Sequence, residues 1–199
     1  MKNTKGKIIA VVGAPATGKS TLVRFLQKKF GFKAILEGEE KDVPNFIKTN
    51  IAKNKNGFQT IIWFHNRLVE QYSKVSEMKS KGEIIILDTF WLSNLFYIST
   101  MLKDKNEKTI VIDMIRITEK YFSYPDIIIY LKSDISTIKD RMGKRGRTFE
   151  KELRKQVETI HKEHEMFFGN KTVLKGAKII KIDVSKESIK SVARRLKLK

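Results

Sequence analysis

The stretch GAPATGKS at residues 13–20 follows the apolar run IIAVV without a break and leads directly into KSTLVRFLQKKFG. The first run reads as a buried strand, and the last repeats apolar residues at helical spacing up to a glycine stop. Few folds accept strand, glycine loop and helix in that order. Gly13, Gly18, Lys19 and Ser20 meet the spacing G-x-x-x-x-G-K-[ST] in the setting it requires, which makes the stretch a phosphate-binding loop. Glycines at 13 and 18 open backbone conformations closed to residues with a Cβ, so successive N–H groups converge on phosphate oxygens. Lys19 adds a point charge for the β- and γ-phosphates, the Ser20 hydroxyl is a Mg²⁺ ligand, and the helix start contributes its dipole. The loop as a whole, Gly13, Ala14, Pro15, Ala16, Thr17, Gly18, Lys19, Ser20 and Thr21, is therefore the expected seat of ATP.

Strand followed by helix recurs along the chain. FKAILE, EIIILD, DIIIYL and AKIIKID read as further strands, and residues 58–80 carry Ile62, Leu68, Val69, Tyr72 and Val75 on one helical stripe. Other helices are expected at about 92–103, 107–122, 134–143, 149–168 and 185–197. The segment 107–122 is rich in β-branched residues and reads as a strand on that criterion. Near-continuous apolar strands alternating with helices imply a parallel sheet covered on both faces. The expected fold is α/β, three-layered, with a five-stranded parallel sheet flanked by helices and ligands at the carboxyl ends of the strands.

Length and composition narrow the class. The chain has 199 residues, 41% of them apolar, enough for one domain with a real core. It has no cysteine, which rules out a disulfide framework, a thiolate metal site and a cysteine nucleophile. The apolar run before the loop is too short for a signal peptide or a membrane span, so a cytoplasmic protein is expected. The net charge of +19 is spread as lysine over the whole chain. Runs such as KNTKGK, NIAKNKNG and KLKLK read as solvated faces and ends, and a positive field also steers polyphosphates to a site.

Several acids and arginines fall at the loop's edge of the sheet. Asp88 ends EIIILD, where a carboxylate holds Mg²⁺ or caps the next helix. Glu37 is the first acid beyond FKAIL, placed to accept a proton from an attacking hydroxyl, with Glu39 and Glu40 read as loop surface. In DRMGKRGRTFEKE, Arg141, Arg145 and Arg147 alternate with Gly143 and Gly146, the composition of a lid at about 141–150 that closes over a nucleotide. A basic surface turn has the same composition.

With these residues in view, the chain resembles the deoxynucleoside kinases, relatives of thymidylate kinase among the P-loop nucleoside and nucleotide kinases, over nearly its whole length. The resemblance implies that Glu37 is the general base, with Lys19, Asp88, Arg145 and Arg147 completing the catalytic set. FQTIIWFHNRL looks like the substrate helix, whose glutamine, here Gln59, reads the base edge. Asp88 stands where the family has the acid of its Glu/Asp-Arg-Ser motif. Arg141, Arg145 and Arg147 carry over as nucleotide and phosphate contacts, Glu150 as a partner of the sugar 3′-hydroxyl, and Asp183 as part of the strand end flanking adenine. IHKEHEMFF resembles the LH..HE helix, with His161 and His164 as packing and surface residues. One departure stands out: Thr89 follows Asp88 where the family has an arginine, and a threonine supplies no guanidinium. A lid arginine or another cation such as Arg67 then covers the role, or the acceptor differs, or activity is low. Asn94, at the base-reading position after it, offers donor and acceptor together.

The resemblance implies ATP and Mg²⁺ as cofactors, a small nucleoside as partner, a homodimer, and transfer to a deoxynucleoside 5′-hydroxyl. Two alternatives stay open. One is a nucleoside monophosphate kinase like thymidylate kinase, against which the acidic LEGEE cluster counts. The other is a nucleic-acid-associated ATP-binding protein, prompted by the charge of +19 but lacking aromatic interleaving.

Overall fold

The computed structural model describes residues 6–38, 40–196 and 198. Glu39, the basic start before Gly6 and Lys197, where the last helix was expected to end, lie outside them. In chain order the elements are β1 (Lys7–Val12), α1 (Lys19–Phe30), β2 (Lys33–Ile35), α2 (Asn45–Ala52), α3 (Gly57–Ser80) and β3 (Ile84–Asp88). They continue with α4 (Ile98–Met101), α5 (Lys105–Tyr121), β4 (Ile127–Lys132), α6 (Ile135–Arg145), α7 (Lys151–Phe168), β5 (Val173–Leu174), β6 (Ala177–Asp183) and α8 (Ile189–Arg195). Short 3₁₀ helices lie at Glu40–Asp42, Trp91–Tyr97 and Thr148–Glu150.

Six strands form one sheet in the order β2-β3-β1-β4-β6-β5. All neighbouring pairs are parallel except β5 with β6. The chain leaves β1 toward β2 and β3 and then crosses to β4, so the strand order reverses beside β1, where open α/β sheets bind ligands. The strand absent from the sequence reading is β5, a two-residue arm returned by Lys175 and Gly176, both at positive φ (48° and 86°). Two positive φ angles in a two-residue loop make the tight turn that matches strand twist.

Alternation along the strands builds two cores. Ile8, Ala10 and Val12 of β1, with Ile128 and Tyr130 of β4, face α3, α5 and the Trp91–Tyr97 helix. Ile9 and Val11, with Ile129 and Leu131, face α1 and α8. The result is helix, sheet, helix, as a two-residue side-chain period on a sheet covered on both faces requires.

One local outcome settles the two readings of its segment in favour of the expected helix, and another departs from expectation. The β-branched segment near 107–122 is helix α5, because the Asp104 carboxylate caps the N–H groups of Asn106 and Glu107 at 2.9 Å each and Val111, Ile115 and Thr118 share one buried face. The helix expected at about 92–103 is a 3₁₀ helix followed by the single turn α4; Trp91 and Phe96 are both buried within it. Helix α2 was missed altogether. The stretch NIAKNKNG read as solvated, yet Asn50 and Ile51 are buried and only the tail from Ala52 is exposed.

Candidate active site

The phosphate loop is held from both sides. Gly13 has φ 147°, and a Cβ there would stand 2.4 Å from the Leu131 carbonyl oxygen; at Gly18, φ 96°, it would stand 2.9 Å from Ile189 Cδ1. At Gly13 another residue would have to displace the β4 backbone, and at both positions the positive φ strains any side chain. Thr17 is fully buried and its hydroxyl donates to the Ala14 carbonyl at 2.9 Å, closing the loop on itself. Lys19 folds back over it, Nζ donating to the carbonyls of Gly13 (3.1 Å) and Ala14 (3.3 Å).

Beside the loop lies the end of β3. Ser20 Oγ donates to Asp88 Oδ2, while Asp88 Oδ1 is buried without a hydrogen-bond partner. A buried carboxylate oxygen left open next to a hydroxyl is a fit site for a hard divalent cation, and Mg²⁺ takes few protein ligands, keeping phosphate and water oxygens for the rest. The next residue, Thr89, sits at φ 72°, a left-handed conformation that a β-branched side chain seldom takes. It is held there by its N–H, which donates to Val11 O at 2.9 Å, and by a hydroxyl contact with Ser93.

In front of loop and strand end opens a cavity of about 170 Å³. Its polar end is formed by Lys19, Ser20, Glu37, Asp88, Arg145, Arg147 and Glu150. Its other end is apolar, lined by Val43, Ile51, Trp63, Phe64, Met101, Phe149 and Leu153. Glu37 reaches it from the end of β2, where burial and the charge of Asp88 push its carboxyl up to about 7, against the pull of Lys19, Arg67 and Arg147. Glu150 is clamped by Arg145 (2.5 Å) and Arg147 (3.2 Å), and Arg147 also faces Glu40 at 3.7 Å. Arg67 donates to the carbonyls of Asp42 (3.0 Å) and Glu37 (3.2 Å) and lies over the Trp63 ring.

Most of the expected residues meet in this cavity: Gly13, Pro15, Ala16, Lys19, Ser20, Glu37, Arg67, Asp88, Asn94, Arg145, Arg147 and Glu150 all line it. Asn94 is 5% exposed and its Nδ2 is unpartnered. Others do not arrive. Gln59 is exposed and accepts from Asn50 Nδ2 at 3.0 Å, because it precedes the cavity-lining Ile61 by two residues, just over half a helical turn. Arg141 lies beyond the cavity wall and donates to Val184 O at 2.9 Å, at the end of β6. Asp183 is exposed, its carboxylate accepting from Ser185 N at 2.9 Å. Ala14 and Thr17 pack inward and Thr21 points to solvent.

Several contributors were not read from the sequence. Tyr97 lines the cavity near Glu37 and Glu150, and burial with those charges holds its hydroxyl protonated. His164, read as a packing or surface residue, also lines the cavity. Its Nδ1–H donates to Ile160 O at 2.8 Å, its ring stacks 4.0 Å from Phe96, and burial pushes its pKa down to about 3. Helix α2 supplies Ile51; its one signal was Pro44 ahead of apolar residues at 47 and 51, the spacing of a helix entered at a proline.

Comparison with known proteins follows the geometry. A family model described as deoxynucleoside kinase matches residues 9–198. The deoxyguanosine kinase of Bacillus subtilis (strain 168) is 30% identical over 150 residues, covering 73% of this chain and 70% of its own length. The deoxyadenosine/deoxycytidine kinase of the same organism is 28% identical over 169 residues, covering 81% and 76%. In fold, the chain is similar to deoxyadenosine kinase from M. mycoides solved with bound dATP, with a TM-score of 0.79 at 22% identity over 95% of this chain and 98% of that one.

Proposed function

The chain belongs to the deoxynucleoside kinase family, and from that premise we propose that it is a phosphotransferase moving the γ-phosphoryl group of ATP onto the 5′-hydroxyl of a deoxynucleoside. The observation that carries this reading is the single cavity in which the phosphate loop's Lys19 and Ser20 face Glu37 and Asp88 across an aromatic chamber of nucleoside character. Phosphoryl transfer asks for positioning and charge more than covalent chemistry. Glu37 accepts the proton of the 5′-hydroxyl as its oxygen bonds the γ-phosphorus and ADP leaves; a carboxyl titrating near neutrality is suited to that work.

Lys19 exchanges its loop carbonyls for phosphoryl oxygens, and Arg145 and Arg147 bring guanidinium charge from the lid at about 141–150, whose closure excludes water. Ser20 and Asp88 hold Mg²⁺, which supplies neutralising charge to the nucleotide phosphates when bound. Asp183, at the carboxyl end of β6, and Arg141 of α6, bonded to Val184 O just beyond it, flank the donor's base. On the acceptor side Arg67 braces Glu37, Asn94 faces the base and Glu150 the sugar. The protein acts in the cytoplasm as a homodimer.

A nucleoside is favoured over a monophosphate because Arg67, which lines the cavity outside the lid, already donates to the carbonyls of Asp42 and Glu37, and the carboxyls of Glu37 and Glu150 line the same cavity. Coupled ADP release measured with purified protein, Mg·ATP and panels of deoxynucleosides and their monophosphates tests this. Turnover with deoxynucleosides is expected; turnover confined to monophosphates overturns the acceptor assignment, and turnover with neither overturns the reading.

A further inference from the structure

Lysine occurs along the whole chain, but the excess of bases over acids does not. All 22 acids lie within residues 37–187, whereas residues 1–36 carry eight bases and residues 188–199 five, with no acid in either stretch. Those two stretches supply α1 and α8, which cover the same face of the sheet: Leu22, Val23 and Leu26 share one core with Val192 and Ala193. Lys29 ties the helices together, Nζ donating to the carbonyls of Ala193 (2.9 Å) and Arg194 (2.6 Å). The outcome is a single surface on which Arg24, Lys28, Lys29, Lys190 and Arg194 are exposed, with Lys33 exposed just past the end of α1.

The side chains between these bases narrow what the surface can hold. Thr21, Gln27 and Ser191 are exposed on the same helices and carry hydroxyl or amide groups. Among the described residues the exposed large apolar side chains are Phe46, Ile110, Ile117, Tyr121, Met166 and Val173, and none of them belongs to α1 or α8. Arginine and lysine interspersed with serine, threonine and glutamine are the groups that contact a phosphate backbone. A single strand is held largely by stacking its bases on aromatic rings, and this surface exposes none. A bilayer is entered by apolar side chains, which are lacking here as well. A duplex needs neither: its bases stay stacked inside, and it presents one negative charge per about 1.7 Å of axis.

We propose that the layer formed by α1 and α8 is a docking surface for double-stranded DNA, held by its phosphates without reading the bases. Thr21, Arg24 and Lys28 make a ridge about 10 Å long on the outer side of α1, with Lys190 and Arg194 beside it on α8. A B-form major groove, about 12 Å wide, accepts such a ridge between its two phosphate strands, while the A-form groove of an RNA duplex is too narrow. The acceptor cavity opens among α3, the Trp91–Tyr97 helix and the lid, on the other side of the sheet, so a docked duplex leaves it free. The inference makes no use of the acceptor reading above.

Fluorescence anisotropy of a labelled DNA duplex of about 20 base pairs, titrated with the full chain over a salt series, tests the proposal. A Kd of about 10 μM near 0.1 M salt is expected, rising about 100-fold between 50 and 200 mM, the slope of about four phosphate contacts. Lys28→Gln with Lys190→Gln should raise Kd about 30-fold and flatten the log–log slope by about 2. Lys53→Gln with Lys55→Gln, which removes the same charge beyond the end of α2, should leave Kd within about twofold. All four lysines are exposed, so thermal melting of both variants should match the parent. Equal losses from the two pairs mean attraction by bulk charge and overturn this face. Displacement of the duplex by Mg·ATP puts its phosphates at the glycine loop and overturns it too. Tighter binding of an RNA duplex, of a single strand or of vesicles containing phosphatidylserine overturns duplex DNA as the occupant, and no binding at 50 mM salt overturns the surface itself.

Discussion

The two ends of the cavity are built in different ways. At the phosphate end the partners of Lys19 lie within six residues of it, and the backbone of one contiguous stretch supplies the shape, pinned by Leu131 and Ile189 at its glycines. At the acceptor end the side chains come from the end of β2, from α2, α3, the Trp91–Tyr97 helix and the lid, and ion pairs hold them. Main-chain geometry has to be local because neighbouring residues must share it. A cavity shaped for an acceptor has no such requirement, and its walls are recruited from wherever the fold brings them.

The sharpest break in this comparison is Lys19→Ala. Removing the Lys19 ammonium from the phosphate end is expected to lower kcat about 10³-fold, read by ADP release, while circular dichroism stays unchanged. Glu37→Gln comes next, with a loss of about 10²-fold in kcat and ATP affinity retained in calorimetry. In the parent protein kcat/KM should fall about tenfold per pH unit below about 7, because protonated Glu37 cannot accept the substrate proton; in the glutamine variant that limb disappears.

The same substitution has an opposite signature in stability. Glu37 is raised from its ordinary value of 4.5 to about 7, so the stability its protonated form lends is fully present below 4.5 and lost as pH rises through about 7. Glu37→Gln should therefore raise Tm above pH 7 and leave it unchanged below 4.5. A base that costs stability where it is active is what a catalytic carboxylate held among aromatic and ionic neighbours should show.

Smaller effects sharpen the acceptor end. Glu150→Gln leaves Arg145 and Arg147 without their shared carboxylate, and is expected to raise the nucleoside KM about tenfold and cost about 1–3 kcal/mol in thermal unfolding. Gln59→Ala should change the order of preferred nucleosides by less than about twofold, since its side chain bonds Asn50 outside the cavity. A large shift in base preference would return Gln59 to the site and contradict the helix phase seen here.

What could be read in advance follows the same division. The phosphate loop, the strand-end acids Glu37 and Asp88 and the parallel sheet were legible because each rests on contiguous residues: a glycine spacing, an apolar run, an acid at its end. The helical phase of Gln59 was not, because the stripe on α3 reads the same whether the cavity lies over residue 59 or residue 61. Tyr97 and His164 were hidden for a related reason. Each looks like an ordinary aromatic or polar residue in an apolar helix until Phe96 and Ile160 orient the histidine and the 3₁₀ turn carries the tyrosine to the cavity.

The amino-acid sequence by itself determined the glycine loop between the first strand and the first helix, since its shape is made by main-chain groups whose geometry glycine spacing dictates. Only the tertiary structure decided which side chains line the cavity in front of it. Those contacts join residues far apart in the chain, such as Glu37 with Asp88 and Arg147, and depend on helix phase and packing that no local pattern records.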